Sequence, residues 1–193
     1  MQALLLALVL LELAITAALA ILSTRAALIV SSRTLRLLAA SFDLLALSSA
    51  MKLVWLALSS DLALALSSAT MAASFLALAI SHVYSVSPDA GLRRLEALLL
   101  PAPLFAAYTL AKGVSLYLVL YAAVETTIFY AEMRYRASLL TAAGLYALFA
   151  SLLLGFTTVG ILEPQLVESV QVVGFALLLS SGAYSFGAVG GGG

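Results

Sequence analysis

The residues of this sequence that could do chemistry are few, and they stand singly within long apolar stretches. Asp43 is one of them, and Arg36 lies seven residues earlier, on the same face of a helix. An internal ion pair, or a carboxyl bonded to hydroxyls, is the structural interpretation. The functional interpretation is a proton or cation site, because ionisable groups are rare within membrane-spanning helices and usually have a role there.

A second group combines a carboxyl with phenols. Tyr117, Tyr121 and Glu125 are spaced by four residues and therefore form one stripe on a helix. The stripe fits either a packed, hydrogen-bonded glutamate or a proton relay that also contacts a substrate. Glu12, which shares a helix face with Thr16, is the remaining acidic candidate, and we expect it close enough to a helix end to contact water.

Two lysines also fall within apolar segments. Lys52 and Lys112 are long enough to reach water from positions near a helix end. If either lies at a central position, its acidic partner is expected to be Asp43 or Glu125, the two mid-helix carboxylates. His82 is the single histidine, and we interpret it as an interfacial residue near a helix end.

No familiar catalytic motif accompanies these residues. The chain has no cysteine, which excludes thiolate catalysis and disulfides, and one histidine cannot form a multi-histidine metal centre. The sequence has no phosphate-binding loop and no nucleophile–base signature. We therefore expect no catalytic residue, no metal and no cofactor.

The composition indicates where such a chain folds. Hydrophobic residues make up 64% of the 193 residues and charged residues 9%, whereas about 25% is usual for a soluble domain. The apolar residues come in blocks of the roughly 20 residues that a membrane-spanning helix needs. The sequence therefore predicts an all-α integral membrane protein with the lipid bilayer as its main partner. The formal net charge of zero gives no reason to expect nucleic acid binding, and the lack of both Asn and Cys is compatible with a thermophilic source.

Apolar periodicity and turn residues predict six spanning helices. They divide the chain into a first three-helix half at 1–86, a linker with a short amphipathic segment at 87–103, a second half at 104–187 and a glycine-rich tail at 188–193. Seven helices are the alternative, with a split at Lys112–Gly113 in place of one long fourth helix. The six helices are expected at about 3 to the low thirties, 35–58, 62–86, 104–130, 137–159 and 165–186.

The two halves are weakly similar in sequence. A shift of 103 residues lays 33–48 over 136–151 with six identities in sixteen positions, and it places the turn at Asp61 on the turn at Pro164. Such repeats are common in transporters. The arginines near the first predicted turn place that turn inside and the N-terminus outside. With six spans, Arg134 and Arg136 then fall outside, against the preference of positive residues for the cytoplasmic side. Seven spans, with the two halves in parallel orientation, would remove this conflict.

One predicted helix carries a seam of small residues. Ser60, Ser67, Ser74 and Ser81 recur every seven residues, with Thr70 between them. Small residues at this spacing let two membrane helices approach closely, and hydroxyls can bond across the contact. We interpret the seam as a helix-packing surface within the chain, with a polar path or a subunit interface as alternatives.

These features favour a non-catalytic subunit or scaffold of a larger membrane assembly, or a self-associating chain. The alternative is a small secondary transporter or an ion or proton channel built from two three-helix repeats, with Asp43 and Glu125 in the pathway. The two hypotheses differ in where the serine seam and Asp43 point. Convergence with Glu125 on a central cavity would favour transport, and contact with another polypeptide would favour the assembly.

Overall fold

The computed structural model describes residues 2–86, 107–157 and 164–190. These residues are helical except at two-residue turns, and each helix has a stretch long and apolar enough to cross a membrane. The six helices are α1 (Gln2–Val30), α2 (Arg33–Leu58), α3 (Asp61–Val86), α4 (Ala107–Met133), α5 (Arg136–Thr157) and α6 (Pro164–Gly190). The prediction of six apolar helices is confirmed for this part of the chain, and helix α4 continues without a break through Lys112–Gly113. The predicted linker, 87–103, and the last residues of the predicted tail lie outside the described residues, while the tail's first residues, 188–190, belong to α6.

Matching turns join the first two helices of each half. Ser31 and Arg134 both have a left-handed backbone, with φ of 52° and 54°. Each donates its N–H to the carbonyl four residues earlier, on Ala27 at 3.1 Å and on Tyr130 at 2.8 Å. This geometry ends a helix and satisfies one of its last carbonyls. The two turns are 103 residues apart, which is the shift that the sequence comparison of the halves predicts.

Helix α3 begins at a conventional cap. Ser59 is left-handed, with φ of 50°, and closes α2 by donating its N–H to the Trp55 carbonyl at 2.7 Å. The Ser60 hydroxyl then accepts the N–H of Ala63 at 3.4 Å, as an N-cap residue does. Ser60, the first serine of the predicted seam, therefore starts the helix and does not pack along it.

The six helices form a ring. Each packs against its two neighbours in chain order, and α6 closes the ring by packing against α1. The shift of 103 residues carries α1, α2 and α3 onto α4, α5 and α6, so the contact of α1 with α6 corresponds to the contact of α4 with α3. The centre is filled by apolar side chains from several helices, among them Phe75, Leu45, Leu145, Leu148 and Phe175.

Helices α3 and α4 run in the same direction. One end of the bundle, here called end A, holds the first residue of α1, and the opposite end is called end B. A cavity at end A is lined by residues near the start of α1, α3, α4 and α6, which are Val9, Ser67, Lys112 and Glu168. It is also lined by residues near the end of α2 and α5, which are Lys52 and Gly155. Helix α3 therefore ends at end B, whereas α4 starts at end A.

Small residues bring the consecutive helices into close contact. Ser48 and Ser67 exchange hydrogen bonds between α2 and α3, each hydroxyl donating to the other residue's carbonyl, at 2.8 and 2.9 Å. About two helical turns further towards end B, the Ser74 hydroxyl donates to the Ser41 carbonyl at 2.8 Å. All four serines are buried. The middle of the predicted seam therefore packs within the chain.

The other two seam residues bond to their own helix. Thr70 donates to the Leu66 carbonyl at 2.8 Å, and the buried Ser81 hydroxyl donates to the Leu78 carbonyl at 2.8 Å. In the second half, Gly144 stands at the position that corresponds to Ser41. A Cβ on Gly144 would lie 2.9 Å from the Gly174 carbonyl oxygen, so α5 and α6 are in backbone contact there.

Candidate functional site

Three charged side chains from three helices meet inside the bundle. The Lys52 ammonium, on α2, donates to the Glu12 carboxylate of α1 at 2.7 Å and to the Glu168 carboxylate of α6 at 3.0 Å. The side chains of Lys52, Glu12 and Glu168 are 14%, 1% and 9% exposed. We call these three residues the charged cluster.

Both carboxylate oxygens of Glu12 accept hydrogen bonds from neighbouring side chains. Its Oε1 accepts hydrogen bonds from the Ser49 hydroxyl at 2.9 Å and from the Gln171 amide at 3.0 Å, and its Oε2 accepts from Lys52. Behind it, the Thr16 hydroxyl donates to the Glu12 carbonyl at 2.9 Å. A carboxylate with this many donors is well stabilised in its charged form even though it is buried.

Glu168 is less completely bonded. Both of its carboxylate oxygens face Lys52, at 3.0 and 3.3 Å. Glu168 and Lys52 also line the cavity at end A, whereas Glu12 does not. Glu168 is therefore the carboxylate of the cluster that a ligand or a proton can reach.

The cluster carries an excess of negative charge. Two carboxylates share one ammonium, so the group holds a net charge of −1 or carries one additional proton. Burying an uncompensated charge costs roughly several kcal/mol, which favours uptake of a cation or a proton by Glu168, the carboxylate that lines the cavity. This property distinguishes the cluster from a neutral ion pair, which would only fasten helices together.

The cavity beside the cluster has a volume of about 500 Å³ and is bounded by all six helices. Aliphatic side chains form most of its wall. Its polar residues come from both halves of the chain and are Lys52, Trp55, Ser67, Ser68, Lys112, Ser115, Ser151, Glu168 and Gln171.

The internal repeat is broken at this site. The shift of 103 residues lays Glu12 on Ser115 and Lys52 on Gly155, and it relates Gln171 to Ser68. Ser115, Gly155 and Ser68 all line the cavity. One side of the ring thus carries the charged cluster, and the equivalent side carries small residues that leave space.

The other polar candidates from the sequence lie elsewhere. Asp43 and Arg36 are exposed on the outer face of α2, and Tyr117 is 55% exposed on α4. Glu125 and Tyr121 are half-buried, and Tyr121 packs against the apolar core. None of these five lines the cavity at end A. The structure therefore brings Glu12 into the charged cluster but does not bring Asp43 and Glu125 together, and their roles stay predictions.

The predicted partners of Lys52 were wrong. The structure pairs it with Glu12 and Glu168, and not with Asp43 or Glu125. Glu12 and Lys52 lie at nearly equal distances along the chain from the turn at Ser31, so the antiparallel pair α1–α2 places them at one level. That spacing is a signal that sequence reasoning could have used. Glu168 had no such signal, because it reaches Lys52 only through closure of the ring by α6.

Removing the ammonium should destabilise the bundle. Lys52→Met leaves two buried carboxylates without a cation, and we expect a loss of about 3–5 kcal/mol in the free energy of unfolding. The double variant Lys52→Met/Glu12→Gln should recover part of this loss, because an amide at position 12 can still bond to Ser49 and Gln171. SDS titration of the detergent-solubilised protein, followed by circular dichroism, measures both. Arg25→Met, which removes an exposed cation outside the cluster, is the control. Equal midpoints for Lys52→Met and the wild type would contradict a stabilising ion pair.

No protein-family model, curated protein or solved structure matches this chain. What the charged cluster does is therefore inferred below from its own contacts, burial and charge.

Proposed function

We propose that this chain is a multi-pass integral membrane protein that translocates protons, with Glu168 as the group that takes up and releases them. The single observation that carries the proposal is the buried Glu12–Lys52–Glu168 cluster at the edge of a cavity. Ionisable groups inside a membrane helix bundle are costly, and they mark ion and proton pathways in many membrane proteins. The six long apolar helices support the location in a bilayer.

The roles of the two carboxylates follow from their surroundings. Glu12 has three side-chain donors and stays charged, which keeps Lys52 charged as well. Glu168 shares the same ammonium and faces the cavity. A proton on Glu168 removes the excess charge, and loss of that proton restores the ion pair with Lys52. The cluster therefore has two states that differ by one proton.

The cluster also links the two halves of the ring. Glu12 and Lys52 belong to the first half and Glu168 to the second, at the contact between α1 and α6. Protonation of Glu168 weakens its bond to Lys52 across this contact, while the Gln171–Glu12 hydrogen bond, which does not involve Glu168, still joins α6 to α1. Transporters built from repeats often place their sites at the interface of the repeats. This proposal keeps the transport hypothesis from the sequence but moves the pathway from Asp43 and Glu125 to the cluster.

The direction of the helices supports a specific membrane topology. The N-terminal end of α1 is at end A, and α6 finishes at end B, so we infer that the two termini lie on opposite sides of the membrane. An odd number of crossings follows, although the split at Lys112–Gly113 of the seven-span alternative does not occur, because α4 is continuous there. Near end B lie Arg25, Arg33, Arg36, Arg134 and Arg136. Because positive residues favour the cytoplasmic side, end B is inside and the N-terminus is outside.

A subunit or scaffold within a larger assembly is the second candidate function. The observation that favours it is the exposure of Asp43 on the outer face of α2, near the middle of the helix. Placing a carboxylate against lipid costs roughly several kcal/mol of free energy. Contact with a neighbouring subunit would shield Asp43 from lipid. The serine seam gives this candidate less support than the sequence suggested, since Ser67 and Ser74 bond to α2 of the same chain.

Proton flux tests the first proposal. In proteoliposomes that contain a trapped pH-sensitive dye, a potassium diffusion potential should drive proton entry through the wild-type protein. Glu168→Gln should reduce the flux to that of protein-free liposomes, because an amide cannot exchange protons. Glu125→Gln changes a carboxyl outside the cavity and should leave the flux unchanged. A Glu168→Gln protein that is folded and conducts like the wild type would exclude Glu168 as the proton carrier.

Protease accessibility tests the topology. A cleavable epitope tag is placed at each terminus, and intact spheroplasts are treated with protease from outside. The N-terminal tag should be cut at once, and the C-terminal tag should be cut only after lysis. Cleavage of both tags, or protection of both, would contradict an odd number of crossings.

Native mass spectrometry tests the second candidate. After purification in a mild detergent, an assembly should appear as a complex with further polypeptides or as an oligomer of this chain. Asp43→Ala should release the partner if Asp43 lies at the contact, while Asp61→Ala, at the exposed start of α3, should not. A monomer that accounts for all of the purified chain would rule out a stable assembly.

A further inference from the structure

We propose that a second cavity of the bundle binds an uncharged aliphatic alcohol. This cavity has a volume of about 310 Å³ and is lined by residues of α1, α2, α3, α5 and α6. It lies towards end B, since it contacts late residues of α1 and α6, which are Ala26 and Ser185, and Leu35 near the start of α2. None of the described residues that line it belongs to the charged cluster, so this inference is independent of the proposed function.

The wall of this cavity selects an uncharged ligand. Most of the lining residues are aliphatic, and Leu19, Phe42, Leu145 and Leu178 are also part of the apolar core. None of the lining residues in the described part of the chain is charged. A charged group would lose its hydration here and gain no counter-charge from this wall. The volume is at the lower end of the range of small-molecule sites, about 300–1,000 Å³, and therefore suits a short aliphatic chain.

Hydroxyl groups supply the polar part of the wall, and they belong to Ser23, Thr141, Ser181 and Ser185. The Ser23 hydroxyl donates to the Leu19 carbonyl at 2.8 Å, and the Ser185 hydroxyl donates to the Ser181 carbonyl at 3.0 Å. No donor from the described residues bonds to the hydroxyl oxygen of Ser23 or Ser185. A hydroxyl has one proton and two acceptor lone pairs, so both serines keep lone pairs that a ligand can use.

Thr141 and Ser181 also donate their protons within the protein. Their hydroxyl oxygens lie 2.6 Å apart, and both are within bonding distance of the Ala137 carbonyl, at 3.0 and 2.8 Å. One hydroxyl therefore donates to the other, and the second donates to the carbonyl. All four hydroxyl protons of the wall are thus engaged, and the wall presents acceptors to a ligand.

A wall of acceptors selects a ligand that donates a hydrogen bond. The hydroxyl group of an alcohol donates one, and the aliphatic chain of the alcohol would extend along the apolar part of the wall. An ether or a ketone has lone pairs and no proton to donate, so its oxygen would face the lone pairs of the serines. An uncharged chain with one hydroxyl group therefore fits both parts of the wall.

The broken repeat makes room for such a ligand. The shift of 103 residues relates three apolar residues of the first half to smaller residues of the second half, which are Leu38 to Thr141, Leu78 to Ser181 and Ala79 to Gly182. All of these residues except Ala79 line the cavity. A Cβ on Gly182 would meet no atom within 4 Å, so a larger side chain at this position would extend into open space.

The experiment labels the protein in phosphatidylcholine liposomes with a photoactivatable diazirine derivative of n-octanol. After irradiation, mass spectrometry locates the adducts. We expect saturable labelling of the residues of α1 and α6 that line the cavity, and we expect unlabelled n-octanol to compete for it. Adducts on lipid-facing side chains alone, or labelling of the cavity that does not saturate, would overturn the proposal.

A matched competitor tests the hydrogen bond. The compound n-heptyl methyl ether has as many heavy atoms as n-octanol and also one oxygen, but it has no proton to donate. With concentrations measured in the bilayer, about three- to tenfold more of the ether should be needed for equal competition, as expected for loss of one hydrogen bond. Equal competition by the two compounds would contradict selection of a donor.

Two variants assign the labelling to the cavity. Gly182→Leu should abolish the labelling by filling the space, and Ser185→Ala should weaken competition by n-octanol about threefold or more, because it removes an acceptor. Gly113→Leu is the matched control for Gly182→Leu, since a Cβ on Gly113 also meets no atom within 4 Å and Gly113 does not line this cavity. It should be labelled like the wild type.

Circular dichroism shows whether each variant is folded. Unchanged labelling of a folded Gly182→Leu protein would reject the site. If Gly182→Leu does not fold, unchanged competition in Ser185→Ala is sufficient to reject it.

Discussion

The architecture depends on one buried ammonium that two carboxylates share. Lys52 connects the first, second and last helices of the described chain, and so it closes the ring where α6 returns to α1. Elsewhere in the ring, neighbouring helices meet mainly through small and apolar residues, which fit many helix pairs. A charged contact between residues 116 positions apart is more selective, because any other register would leave a buried charge without a partner.

The two halves of the repeat differ at this contact. Two three-helix units with matching turns at Ser31 and Arg134 would, if identical, present equal interfaces at α1–α6 and α3–α4. The chain instead has the charged cluster on one side of the cavity and, at the corresponding positions of the other side, Ser115 and Gly155. A symmetric ring with two buried clusters would carry twice the excess charge and no cavity. Loss of one cluster therefore creates both the space and the asymmetry that a binding site requires.

Sequence alone was sufficient for the helices and insufficient for the site. Apolar blocks and turn residues placed the six helices to within a few residues, because helix length and hydropathy are local properties. The close packing of α3 at Ser67 could also be predicted, since a seam of serines at regular spacing indicates a helix-packing surface. The place of Glu168 in the charged cluster could not be predicted, because its distance from Glu12 and Lys52 depends on the contact of α6 with α1, which no local pattern encodes. Asp43 looked more buried than Glu12 in sequence, yet the structure exposes Asp43 and buries Glu12 completely.

Parallel halves have a mechanical consequence for the proposed transport. Since α3 and α4 start at the same end, the interfaces α1–α6 and α3–α4 both open towards end A, and the cavity there touches both. The charged cluster and the Gln171–Glu12 hydrogen bond join α6 to the first half, whereas the corresponding positions of the other side carry the small residues Ser115 and Gly155. A proton on Glu168 would thus weaken one of the contacts that join the two halves at this interface, while the Gln171–Glu12 bond would remain.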